Sequence, residues 1–174
     1  MSIRLPKPSL TEASLAKMRP PTSGVPCATW SRRACALDTN LLVYAHRSAT
    51  GKHRAARAAI ERAAATGAWG FAAPVVSEFW SVVTHSTASG RPSRPAEAQR
   101  FLSSLANAGA QVWSPGTGFG LRRAQLATDL DIKGNRIFDL QIALCAFEGG
   151  ARELWSHDVN FIVVPGLRLV RPLG

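Results

Sequence analysis

From residue 34 onward, short apolar runs alternate with longer stretches in which apolar residues recur every three or four positions. A short run bounded by polar residues suits a buried strand, and the longer period suits an amphipathic helix. The run Ala34 to Leu37 predicts a first strand, ending abruptly at Asp38. Thr39 and Asn40 then supply helix-capping chemistry, and Leu41, Leu42 and Ala45 an apolar face. After a turn over Ser48 to Gly51, His53 to Thr66 predicts a helix stopped by Gly67, its Arg54, Arg57, Glu61 and Arg62 forming a solvated face. Trp69 to Ala73 predicts a second strand. Pro74 suits the first turn of a helix running to about His85. A basic loop over Ser86 to Arg94 leads to a helix over Pro95 to Ala108, with Phe101, Leu102 and Leu105 at helical spacing. A brief strand at Gln111 to Trp113 precedes helices over Leu121 to Leu130 and Arg136 to Phe147. The second of these carries Ile137, Leu140, Leu144 and Phe147 on one face and stops at Gly149 and Gly150. Strands at Leu154 to Ser156, ending in His157 and Asp158, and at Leu167 to Val170 complete the chain. Strands alternating with helices predict an α/β fold: a mostly parallel sheet with helices on both faces.

Residues 1–33 break this pattern. They hold Pro6, Pro8, Pro20, Pro21 and Pro26 and one short candidate helix over Ser9 to Met18. Three readings stay open: a disordered basic tail, an arm that binds a partner, or a translation start placed too early, with Met18 nearer the true one. The expected division is a Pro-rich extension over 1–33 and one folded domain over 34–174, since 174 residues suit a single domain with a sizeable core.

Charge changes the picture. The formal net charge is +10, from 21 Lys+Arg against 11 Asp+Glu, which favours a polyanionic partner, nucleic acid before anionic membrane. No apolar run reaches membrane-spanning length, and the N-terminus lacks the apolar core of a secretory signal. Cys27, Cys35 and Cys145 form no Cys-x-x-Cys pair, so neither a disulfide framework nor a zinc knuckle is expected, and a reducing cytoplasm fits. The run Pro115-Gly116-Thr117-Gly118-Phe119-Gly120 resembles a phosphate loop but puts Leu121 at the third glycine position, so it reads as a turn before a helix.

Four acids carry the candidate chemistry. Asp38 and Asp158 stand at strand ends. Glu78 lies in Val75-Val76-Ser77-Glu78-Phe79-Trp80 and Asp139 in Ile137-Phe138-Asp139-Leu140, both among apolar residues, unlike Glu61 and Asp129. An isolated acid in such a setting pairs with Arg or caps a helix; a cation shared by four explains them together. Oxygen ligands without Cys indicate a hard ion, Mg²⁺ or Mn²⁺, which takes its remaining ligands from water and phosphate. A basic protein holding an acidic pocket is a coherent design for cutting a phosphodiester.

At these residues the sequence resembles the PIN-domain ribonucleases, and most closely the VapC-type toxins of bacterial toxin–antitoxin pairs. The resemblance rests on Leu37-Asp38-Thr39-Asn40-Leu41-Leu42-Val43-Tyr44-Ala45, Ser77-Glu78-Phe79, Phe138-Asp139-Leu140-Gln141-Ile142-Ala143 and Ser156-His157-Asp158-Val159-Asn160-Phe161, in that order, and leaves residues 1–33 outside. It implies a small three-layer α/β/α nuclease domain, Asp38, Glu78, Asp139 and Asp158 binding one or two Mg²⁺, endonucleolytic cleavage of RNA, a homodimer and a cognate antitoxin that blocks the site. Asn40 and Ser156 are candidates for hydrogen bonds that orient the carboxylates, and read equally as a helix cap and a strand-end polar residue. Asn160 stands where such proteins often carry Asp, and Asp131 is a spare acid nearby. His157 reads as a surface or packing residue rather than a general base, and His46, His53 and His85 lack metal spacing. Two rival functions remain. A haloacid-dehalogenase-like phosphatase also starts from a strand-end Asp, but needs an acid where Asn40 stands. A non-catalytic nucleic-acid-binding module of the same fold would not need four acids.

Overall fold

The structure is a computed structural model that describes residues 34–86 and 91–173. The candidate helix over Ser9 to Met18, Cys27 and the whole 1–33 extension lie outside the described residues, as do the centre of the basic loop at 87–90 and Gly174. Within them, β1 (Ala34–Leu37) leads to α1 (Thr39–His46) and α2 (His53–Ala65), then β2 (Trp69–Ala72), α3 (Ala73–Thr84) and α4 (Pro95–Asn107). β3 (Gln111–Trp113), α5 (Phe119–Asp129), α6 (Arg136–Glu148), β4 (Ala151–Trp155) and β5 (Arg168–Val170) follow.

The five strands form one parallel sheet in the order β3-β2-β1-β4-β5, in a three-layer α/β/α arrangement. β1 is central and buried along its whole length, which is why it reads as an unbroken apolar run rather than an alternating one. The order also explains where a site can form. From β1 the chain builds outward to β2 and β3, then returns to β4 on the opposite side of β1. Beyond the carboxyl ends of β1 and β4 the connections diverge and leave a crevice.

Most expected elements appear within a residue or two, and the departures have physical causes. β4 begins at Ala151, three residues before the apolar run, because Arg152 and Glu153 sit in its first half, where Arg152 is exposed and Glu153 pairs with Arg168. The strand ends at Trp155, so Asp158 lies in the following turn rather than on the strand. α5 begins at Phe119, whose buried ring anchors the first turn, with Gly118 taking the left-handed φ of 74° just before it. The glycine-rich stretch is thus a turn into a helix. α6 shows no single apolar face: every residue from Ile142 to Ala146 is buried, as suits a helix packed between the sheet and α5.

The core is continuous from β1 outward and includes Trp69, Phe71, Phe79, Leu41, Leu140 and Leu154. Cys35 and Cys145 are free and buried, as expected of small core residues, and burial pushes the Cys145 thiol up to about 11. Arg54, Arg57, Glu61 and Arg62 are exposed along α2. Among the described residues no helix is long and apolar enough to cross a membrane.

Candidate active site

Asp38 is the first residue past β1. Its backbone N–H still belongs to the sheet, donating to the Trp155 carbonyl at 3.0 Å, while its side chain caps α1 by accepting from Thr39 N at 2.7 Å. The cap is therefore Asp38 itself, one residue before the expected Thr39 and Asn40. A carboxylate at a helix N-terminus meets unpaired N–H groups and the positive end of the helix dipole. The other oxygen, Oδ2, accepts from Asn40 Nδ2 and from Ser156 Oγ, each at 2.6 Å. Asp38 is 5% exposed, so these donors stand in for water.

Asn40 and Ser156 are locked by the same network. Ser156 is fully buried; its hydroxyl donates to Asp38 and accepts from Asn40 Nδ2 at 2.9 Å and from Asp158 N at 3.0 Å. Asn40 Oδ1 accepts from the His157 backbone N–H at 3.1 Å, which fixes the amide orientation. One hydroxyl and one amide thus join the end of β1 to the loop after β4.

The other acids approach from three elements. On α3, Glu78 receives the Thr39 hydroxyl at 2.7 Å. In the first turn of α6, Asp139 is half-buried and paired with Arg136 at 3.3 Å. Arg136 also donates to the Asn160 carbonyl, so one guanidinium ties α6 to the turn that holds Asp158. Asp158 steadies that turn by accepting from Asn160 N at 2.8 Å. Asp38, Glu78, Asp139 and Asp158 all line one cavity of about 470 Å³, with Thr39, Asn40, Val43, Tyr44, Val82, His157 and Phe161.

The structure corrects one part of the sequence argument. Apolar neighbours in sequence do not mean an apolar setting in space: Glu78 and Asp158 are exposed at the cavity rim, and Asp38 is the one of the four that is buried. Along a helix, Val75 and Phe79 turn inward while Ser77 and Glu78 turn outward. Asp131, by contrast, is solvated, pairs with Lys133 at 3.0 Å and does not line the cavity. Thr39, Tyr44 and His157 do line it. His157, in sequence a surface or packing residue, packs edge to face on Tyr44 and also faces the cavity. Thr39 sits beside Asp38 in sequence, but nothing in its spacing marks a contact with a glutamate 39 positions away.

Electrostatics single out two of the four, Asp38 and Asp139. Burial pushes the Asp38 carboxyl up to about 7; the hydrogen bonds from Ser156 and Thr39 hold it down, and the charges of Glu78 and Asp139 push it further up. Asp139 is also raised, by burial first and then by Asp158 and Glu78, against the lowering effect of Arg136 and of a hydrogen bond from the Ile162 backbone. Like charges that raise the proton affinity of Asp38 and Asp139 across a cavity are relieved by a cation. The donors are all hard oxygens, which fits a divalent hard ion. Among the described residues no three His, Cys, Asp or Glu side chains are grouped closely enough to hold a metal ion between them.

A family model described as PIN domain matches residues 35–167. The chain belongs to the PIN-domain family. Within it the likeness is to VapC proteins. A VapC ribonuclease of Mycobacterium bovis and Ribonuclease VapC43 of Mycobacterium tuberculosis are each 34% identical over 139 residues, covering 79% of this chain and 94% of theirs. The PIN fold is recognised in three dimensions as well. The crystal structure of VapBC2 from Rickettsia felis bound to a DNA fragment from their promoter superposes with a TM-score of 0.58 at 22% identity, covering 79% of this chain and 97% of that one. The PIN-domain match spans every residue that lines the cavity.

Proposed function

We propose that the endoribonuclease activity of this VapC-type PIN-domain protein resides in the cavity around Asp38, with Asp38, Glu78, Asp139 and Asp158 holding Mg²⁺, or Mn²⁺, directly or through water. The observation that carries this reading is that four acids from four separate segments, with Asp38 buried among them, line one cavity. A carboxylate built for structure alone gains nothing from three like charges nearby; one built to hold a cation does. When bound, the ion supplies an activated water and stabilises charge on the leaving oxygen. The chain's own residues do the positioning. Thr39 orients Glu78, Arg136 orients Asp139, and the Asn40–Ser156 pair holds Asp38 with one oxygen edge fixed. The net charge of +10 favours the RNA backbone around an acidic centre.

The protein acts as the toxin of a toxin–antitoxin pair in the cytoplasm, where a cognate antitoxin covers the cavity, and it works as a homodimer. The domain proper spans 34–174, with 1–33 an extension. The relatives named ribonucleases and the solved VapBC2 assembly support the toxin and its antitoxin partner. A phosphatase of the haloacid-dehalogenase type is disfavoured because it needs a general acid where Asn40 stands, and a carboxamide cannot give up a proton to a leaving group.

The deciding experiment is cleavage of a panel of cellular RNAs by purified full-length protein, with Mg²⁺ and with excess chelator. Endonucleolytic products that need the metal are expected. Binding without cleavage would return the protein to a non-catalytic module, and cleavage in chelator would remove the metal from the mechanism.

A further inference from the structure

The acids form only part of the cavity wall. Tyr44 on α1 and His157 in the loop after β4 line the same cavity, and Lys52, in the turn between α1 and α2, stands against both. Lys52 Nζ lies 2.7 Å from His157 Nε2 and 5.1 Å from the centre of the Tyr44 ring, and the Tyr44 and His157 rings meet edge to face at 6.0 Å. An ammonium only donates, so His157 Nε2 accepts, and the ring hydrogen sits on Nδ1. That bond uses one of the lysine's three N–H groups. Among the described residues Lys52 has no carboxylate partner, and its side chain is exposed. The His157 backbone N–H is bonded to Asn40, so the ring is held in register with Asp38.

We propose that Tyr44, Lys52 and His157 form a nucleotide-holding subsite that seats single-stranded RNA beside the carboxylates. This rests on the ribonuclease reading above and adds what places the strand. Four acids at the cavity repel a polyanion, so a strand approaching them needs an anchor close by. An aromatic ring next to a cation is the pairing that binds single strands without reading sequence: the base stacks on the ring and a phosphate meets the cation. Tyr44, which lines the cavity beside Lys52, is the stacking partner, and Lys52 the cation, its other two N–H groups without a hydrogen-bond acceptor among the described residues. His157, itself lining the cavity, ties the exposed ammonium to the edge of the site. All three are positioning residues; none is needed to activate water.

The test is binding of a fluorescein-labelled, mixed-sequence single-stranded RNA to the full-length protein carrying Asp38→Asn, which prevents cleavage, read by fluorescence anisotropy over a range of salt. Tyr44→Leu is expected to weaken binding about tenfold, with Tyr44→Phe close to the parent, because stacking needs the ring and not the hydroxyl. Lys52→Gln is expected to flatten the salt dependence by about 0.7 in log–log slope, with Lys52→Arg restoring it. In the cleaving protein both losses fall on KM more than on kcat. Lys52 is exposed, so Lys52→Gln leaves the core alone and keeps the test decisive if Tyr44→Leu unfolds. An unchanged affinity and slope in Lys52→Gln, or equal losses in Tyr44→Phe and Tyr44→Leu, overturns the subsite while wild-type cleavage leaves the ribonuclease reading standing. A wild type that neither binds nor cleaves RNA overturns both.

Discussion

The Ser156 hydroxyl donates to Asp38 across 118 positions of sequence, at 2.6 Å, with both residues buried. The same oxygen accepts from Asn40 and from Asp158 N, so its one hydrogen and both lone pairs are committed. Ser156→Ala strips a donor from Asp38 and an acceptor from the Asp158 turn. The expected result is a stability loss of about 1–3 kcal/mol and a fall in cleavage of about 10- to 100-fold. Because that bond holds the Asp38 carboxyl down, the acid limb of the pH–rate profile should move to higher pH. A variant with unchanged rate and profile would show that the serine only fills space.

Asp38→Asn separates charge from shape. The amide can keep the cap to Thr39 or the bonds from Asn40 and Ser156, but not all three, since one orientation sets its Nδ2 against Asn40 Nδ2 and the other against Thr39 N. That loss, about 1–2 kcal/mol for an ill-matched buried donor, opposes the gain from removing a buried charge. Cleavage should nearly vanish while stability near neutral pH moves by no more than about 2 kcal/mol. Retained cleavage would remove Asp38 from the site.

Stability without metal should depend on pH with a definite sign. The folded protein holds the Asp38 proton more tightly than the unfolded chain does, so this contribution declines as pH rises from 3.8 to about 7 and is flat above. A bound divalent cation should therefore raise the melting temperature more at pH 8 than at pH 5. Melts at both, with Mg²⁺ and with chelator, give the comparison. An equal shift at the two pH values would place the ion elsewhere.

Gly70 tests the sheet that presents the site. A Cβ there would fall 2.0 Å from the Gln111 carbonyl oxygen on the neighbouring strand, with no flexible side chain to give way. Gly70→Ala should cost about 2–3 kcal/mol by forcing β2 and β3 apart, read by denaturant unfolding. A loss under about 0.5 kcal/mol would mean that the pairing is not needed for the fold.

Removing residues 1–33 should leave an active domain that melts cooperatively, because the described sheet and core close on themselves from Ala34 onward. Loss of the cooperative melt would show that the extension packs into the core.

Local chemistry determined much of this protein before any tertiary contact. The unbroken apolar run at Ala34 to Leu37, the three- and four-residue spacing of the helices and the glycines that end them need only their neighbours to be read. Asp38 and Asp158 stand out in sequence at the ends of strand-like runs, and Glu78 and Asp139 as acids among apolar helical residues. Only the fold decided which of them is buried, since the exposure of Glu78 depends on which way α3 turns over the sheet. It alone brought Ser156 to Asp38 and Thr39 to Glu78, because a side-chain hydrogen bond depends on distance in space and leaves no periodic trace in sequence. The position of Lys52 against Tyr44 and His157 is of that kind too: three ordinary surface residue types, made into a candidate site when α1, the turn after it and the loop after β4 meet at the carboxyl edge of one parallel sheet.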